Sequence, residues 1–203
     1  MVSSVWFPCS TKSAVEGQSQ TLGRLAEHLK KVVSGSEFVM TRVLDAPRDF
    51  VFNTFTEPEH LLHWWSAKGL TPSTCKIDLR PGGVFHYGMR FPDGREMWGK
   101  WVFREVAAPE RMVFVSSFSD EAGGMARHIM APDWPLEMHS TISFADDDGK
   151  TSVTFRAVPI NATDLERSTF VGGRESMRMG WGGTLDQLDQ YLASVQSKRR
   201  TGR

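Results

Sequence analysis

Towards the C-terminal end of the chain, apolar residues recur at the spacing of one helical face. Met177, Trp181, Leu185, Leu188 and Leu192 follow one another at steps of four, four, three and four, close to the 3.6-residue turn of an α-helix. Asp186, Gln187, Asp189 and Gln190 fall between them and mark the wet side. The pattern predicts a long amphipathic helix within Thr163–Ser194. Gly180, Gly182 and Gly183 lie inside it, beside Trp181. Each glycine costs a helix interior ~0.5–1 kcal/mol against alanine. Either close approach to a sheet or room for a bound molecule offsets that cost, or the helix breaks near Gly172–Gly173.

Upstream the period drops to two, the signature of strands. Phe38–Leu44 alternates and is followed by Asp45–Ala46–Pro47, with Asp45 a candidate cap and Pro47 suited to a first helical turn. Phe50, Val51, Phe52 and Phe55 give a short helix. Thr56–Glu57–Pro58 opens another, carrying Leu61, Leu62, Trp64 and Trp65. Adjacent residues on a short helix do not both point inward, so one tryptophan is expected at a cavity mouth unless both pack on the C-terminal helix. Strands are predicted over Thr74–Leu79, Val84–Arg90, Glu96–Val106, Arg111–Phe118, Glu137–Phe144 and Thr151–Ala157. Pro92–Asp93–Gly94 and Asp146–Asp147–Asp148–Gly149 provide hairpin turns. Ser119–Pro135 exceeds the ~12–15 residues of ordinary connections and is a candidate lid.

Ahead of these, Leu22, Leu25, Leu29 and Val32/Val33 share a face, predicting an amphipathic helix about 20–33 that ends at Ser34–Gly35–Ser36. A lone helix of this length does not stand in water. It docks on its own domain or, through Leu22, Leu25 and Leu29, on a second copy as a homodimer.

Several strands followed by one long helix imply an α+β fold, a curved antiparallel sheet closing around that helix. Alternation then assigns inward faces: Phe85, Tyr87 and Met89; Met97, Gly99, Trp101 and Phe103; Met112, Phe114, Ser116 and Phe118; Met138, Ser140, Ile142 and Phe144; Val153 and Phe155. Such a wall is apolar and aromatic, with Tyr87, Ser116, Ser140 and the Trp101 indole as polar handles. It suits an apolar or aromatic small molecule held by shape. The same residues also serve a solid core, and alternation does not separate the two roles. The candidate ligand-binding set is Trp65, Phe85, Tyr87, Met89, Trp101, Phe103, Phe114, Ser116, Phe118, Ser140, Met177 and Trp181.

Three segments carry a family resemblance. "TRVLDAPRDFVFNTFTEPEHLLHWWSAKGLT" (Thr41–Thr71), "DLRPGGVFHYGMRFPDG" (Asp78–Gly94) and "GWGGTLDQLDQYL" (Gly180–Leu192) resemble, in order, motifs of the SRPBCC/START-like superfamily. The branch they are most similar to is named for the activator of heat-shock-protein-90 ATPase. The resemblance covers about Phe38 to Val195. It implies the helix-grip (START/Bet v 1-like) fold: six to seven antiparallel strands wrapped around a long C-terminal helix, with two short helices after strand 1. It also places the Trp64–Trp65 segment beside the pocket entrance. The organisation expected is an N-terminal extension over 1–37, the START-like domain over 38–196 and a basic tail over 197–203.

Composition narrows the functions. The 24 basic and 24 acidic residues of the 203-residue chain cancel, so no field of one sign steers a nucleic acid. Lys198, Arg199, Arg200 and Arg203 read as a solvated, frayed terminus. Two distant cysteines, Cys9 and Cys75, form no disulfide framework. Neither a secretory signal nor an apolar run of ~18–20 residues is found, and a cytoplasmic protein without a membrane span is expected. His60 and His63 lack a third ligand at metal spacing, so no metal is assigned. His128 or His139 with Asp133 or Glu137 could make a general base, but no complete catalytic set, phosphate loop or dinucleotide fingerprint occurs. No catalytic residue and no cofactor is assigned. The leading expectation is a hydrophobic-ligand carrier, sequestering or stress-response protein. A co-chaperone is the alternative implied by the resemblance, and a polyketide cyclase/hydratase-like enzyme is the third.

Overall fold

The structure, a computed structural model, describes residues 37–201, with side chains through 198. The helix expected about 20–33 therefore lies outside the described residues.

Seven strands make one antiparallel sheet: β1 (Phe38–Leu44), β2 (Thr71–Ile77), β3 (Val84–Arg90), β4 (Glu96–Ala107), β5 (Arg111–Ser119), β6 (Glu137–Asp147) and β7 (Lys150–Ile160). Their order across the sheet is β1-β7-β6-β5-β4-β3-β2. Consecutive strands from β2 to β7 pair as hairpins, and β1 closes the far edge beside β7. The sheet curls into a half-barrel around the C-terminal helix, the helix-grip fold. Two short helices, α1 (Arg48–Thr56) and α2 (Pro58–Trp64), follow β1. Pro58 occupies the first turn of α2, where its missing N–H leaves no bond unmade. Asp45 does not cap α1; Pro47 stands at the N-cap position. Instead the Asp45 carboxylate lies 3.4 Å from Lys150 Nζ, and its carbonyl accepts a bond from Gln196 Nε2.

The expected long helix is two. α3 (Asp164–Gly172) opens with a capping box, in which Thr163 and Glu166 each bond the other's backbone N–H. α4 (Arg174–Thr201) follows after a break at Gly173. α4 also runs past Ser194, so the tail expected to fray is helical as far as Thr201. Neither Gly nor Pro interrupts Ser194–Thr201, and Lys198 suits the negative end of the helix dipole.

The middle of α4 is held from two sides. Thr184 Oγ1 and Gln187 Nε2 both donate to the Ser66 carbonyl, at 3.0 and 2.6 Å. Arg42 on β1 bonds Asp186 and Asp189, and Asp189 foremost holds its guanidinium above the usual range.

Candidate functional site

The inner face of the sheet divides into two halves along its strands. At one end Phe52 and Phe55 of α1 pack edge-on against Phe144 of β6, at 5.4 and 5.2 Å between ring centres. Phe85, Phe103, Met112, Ser140, Ile142 and Phe144 on the inner face are buried at 0–2 % exposure. Towards the other end, where α3, α4 and the β5–β6 loop lie, the same inner rows border a cavity of about 520 Å³. That volume falls within the ~300–1,000 Å³ of small-molecule sites.

Nine of the twelve candidate residues line it: Trp65; Tyr87 and Met89 of β3; Trp101 of β4; Phe114, Ser116 and Phe118 of β5; and Met177 and Trp181 of α4. Phe85, Phe103 and Ser140 do not. They belong to the solid half, because alternation identifies the face of a strand but not the position along it where packing ends. Ser140 bonds Ser116 at 3.1 Å and so acts on the wall from behind.

The two tryptophans both point inward, contrary to the expectation that one sits at the mouth. Helix α2 ends at Trp64, and Trp65 leaves helical geometry with φ −75° and ψ 77°. That turn frees consecutive side chains to face the same way. Trp64 is fully buried against Phe55 and donates its indole N–H to the Thr54 carbonyl at 3.0 Å. Trp65 forms the cavity wall, perpendicular to Trp101 and Tyr87 at 5.0 and 5.4 Å and 5.7 Å from Trp181.

Tyr87 lies directly across from Gly99, and its phenol occupies the space a Gly99 side chain would need: a Cβ there would sit 2.5 Å from the ring. Burial pushes the Tyr87 phenol up to about 12, against a smaller opposite effect from the Trp101 indole bonded to it. It remains a neutral hydroxyl at any ordinary pH. Burial likewise pushes the Cys75 thiol up to about 11, leaving it without the thiolate a nucleophile needs.

The β5–β6 loop closes one side and contributes His128, Ala131 and Trp134 to the wall. Arg127 organises it. Its Nη1 bonds the carbonyls of Pro132 and Trp134 and reaches the carboxylate of Glu166 in the α3 capping box. The Thr163 backbone N–H, and after it Arg127, hold the Glu166 carboxyl below the usual range. Trp134 rests on Phe170 of α3, with ring centres 5.6 Å apart. His128 stacks edge-on against Phe118 at 4.5 Å, and its Nδ1 accepts the Met130 N–H at 3.0 Å. The proton of the neutral ring is therefore on Nε2. Burial lowers the His128 pKa below 6.5.

His139, the other candidate general base, is exposed and outside the cavity lining. Glu137 accepts a bond from Asn161, and among the described residues neither His128 nor His139 forms an ion pair with Asp133 or Glu137. His60 and His63 face Tyr191 of α4: His60 Nδ1 meets its hydroxyl at 2.6 Å and His63 stacks on its ring at 5.1 Å. Their spacing serves packing.

Of the wall, the candidate ligand set omits Trp134, His128, Gly173 and Gly180; the sequence points to His128 only as a possible base and to Gly180 only as possible room. The first two sit in a loop without periodicity. The glycines carried a signal, since two of the offsets anticipated for helical glycines are present. A Cβ on Gly180 would meet nothing within 4 Å, whereas one on Gly183 would touch Lys68 Cβ at 3.3 Å. Gly180 leaves room, and Gly183 allows approach.

This geometry has relatives. Residues 45–193 match the family described as activator of Hsp90 ATPase homolog 1-like protein. The chain belongs to this family. A crystal structure of a Nitrosomonas europaea protein is similar at 27 % identity and TM-score 0.63, covering 79 % of this chain and 96 % of that one. A Mycobacterium smegmatis protein is similar at 25 % identity and TM-score 0.63, over 79 % and 92 %. A Silicibacter pomeroyi protein of the same family name shares the fold at 16 % identity and TM-score 0.58, over 78 % and 99 %. No curated protein matches the chain. Among the described residues, no helix is long and apolar enough to cross a membrane.

Proposed function

We propose that this family member binds an apolar or aromatic small molecule in the cavity between the sheet and α4, as a carrier or sequestering protein. The observation that carries the reading is a space of about 520 Å³ walled by aromatic rings and methionines, with no Asp, Glu, Lys or Arg among the described residues that line it. An empty apolar space forfeits dispersion contacts on every wall atom. A ligand that fills it restores them without stripping water from a charge. Gly180 supports the same reading, because a helix glycine facing open space has no packing reason to persist against its propensity cost.

The test is fluorescence titration of the full chain with 1-aminoanthracene, a neutral aromatic reporter. Saturable enhancement is expected, together with its loss in Gly180→Phe at unchanged circular dichroism. A wild-type chain that neither binds the reporter nor gains thermal stability from any apolar compound overturns the proposal.

The family description supports a second reading, a co-chaperone that stimulates a chaperone ATPase. Such an activity requires a surface outside the cavity, so it should survive in Gly180→Phe. A chaperone ATPase rate unchanged by the chain would dismiss it.

A further inference from the structure

The polar groups that reach the cavity from the β5–β6 loop are donors, and the indole N–H of Trp134 is unmet. Trp134 Nε1 is buried without a hydrogen-bond partner among the described residues, although its ring is part of the cavity lining. A buried donor left unpaired costs roughly 1–3 kcal/mol, and an acceptor brought to it recovers that cost with no further desolvation of the protein. His128 adds a second donor on the same loop, because Met130 occupies Nδ1 and leaves the proton on Nε2. Trp65 Nε1 is also buried and unpaired. Trp65, however, is boxed by the rings of Trp64, Phe85, Tyr87, Trp101 and Trp181, and aromatic faces are weak acceptors for an N–H. Among the described residues Trp134 has one ring neighbour, Phe170, against the five around Trp65, so its indole N–H is the less enclosed by rings.

Among the described residues, no Lys or Arg lines the cavity to balance an anion, and no carboxylate lines it to receive a donor. The geometry points to a neutral aromatic ligand bearing a hydrogen-bond acceptor, such as an aromatic ketone, whose oxygen is read by Trp134 and His128 while the β3–β5 rings hold its flat body. This inference rests on the cavity-binding reading and specifies its ligand. The selectivity resides in the loop. The sheet supplies area.

The experiment is displacement of 1-aminoanthracene by three matched compounds: 1-acetonaphthone with a carbonyl acceptor, 1-ethylnaphthalene with none, and the anion 1-naphthoate. The quantity read is the ratio of ketone to hydrocarbon affinity in the wild-type chain, Trp134→Phe and His128→Phe. Each replacement keeps a ring in place and removes one donor. The ratio is expected to fall roughly three- to tenfold in each variant, the worth of one net hydrogen bond, with naphthoate the weakest of the three. A ratio unchanged in both variants overturns the inference, as does naphthoate binding as tightly as the ketone. Reporter binding without ketone selectivity removes this inference alone; no reporter binding removes the cavity reading with it.

Discussion

The indole ring of Trp134 fills the space that a side chain on Gly173 would occupy. A Cβ at Gly173 would lie 2.7 Å from Trp134 Cζ3 and 3.2 Å from the Thr169 carbonyl. The backbone at Gly173, with φ −83° and ψ 0°, is open to any residue, so the need for glycine is one of contact rather than conformation. Gly173→Ala is therefore expected to push Trp134 off the α3–α4 junction and to destabilise the fold by about 1–3 kcal/mol, the usual cost of overpacking. The loop should loosen with it, so 1-aminoanthracene should dissociate faster from the variant in stopped flow. Wild-type stability together with a wild-type off-rate would refute the contact's role.

Gly180 gives the opposite sign. Its added Cβ meets nothing within 4 Å, and the residue sits inside α4, where alanine outperforms glycine by ~0.5–1 kcal/mol. Gly180→Ala should raise stability by about that amount in urea unfolding while narrowing the cavity by one methyl. Larger reporters should then lose affinity before smaller ones. A loss of stability would mean that the space is occupied by something the described residues do not include.

These two glycines mark the limit of what the amino-acid pattern conveys. Strand alternation identified the inward rows from Phe85 to Phe155 correctly, because a curled sheet with one wet face forces polar and apolar positions apart. Val84–Arg90 and Phe38–Leu44 were legible to the residue, bounded by glycine or acidic turns. Cavity and core were not separable, because both demand the same side chains. Phe85 and Tyr87 are two residues apart on one face, yet Phe85 is sealed among the rings of Trp65, Tyr87 and Trp101 while Tyr87 borders the cavity. That difference lies in where the chain leaving a short helix sets Trp65, which no local period encodes. Trp134 was hidden for another reason, and His128 showed only as a possible base. Both lie on the loop held by the Arg127–Glu166 contact, 39 residues apart in sequence.

Trp64 offers a test of the solid half. It is fully buried, and its indole N–H meets the Thr54 carbonyl at 3.0 Å. Trp64→Phe removes that bond, leaves a buried carbonyl without this donor and opens a void against Phe55. The loss expected is about 2–4 kcal/mol, combining an unmet buried acceptor with a partial cavity. Reporter affinity should change little, since Trp64 does not line the cavity. A collapse of binding at preserved stability would show that the two halves are coupled through the Trp64–Trp65 pair.

His128 sets a pH dependence whose direction follows from its surroundings. Burial lowers its folded-state pKa below the usual 6.5, and protonation of Nδ1 would also break the bond from the Met130 N–H. Between the depressed folded value and 6.5, the unfolded chain binds a proton at this ring that the folded chain refuses. Stability therefore falls as pH drops through that window and is unaffected by His128 at higher pH. Glu166 is shifted in the same direction, its folded pKa lying below the ordinary 4.5, so its contribution is present above that value and lost only in stronger acid. The two effects separate along the pH axis. His128→Gln keeps an acceptor for the Met130 N–H and removes the titration. It should flatten the stability profile as pH falls through and below 6.5 relative to wild type, measured by urea unfolding at each pH. Identical profiles for the two proteins would place the His128 ring in water.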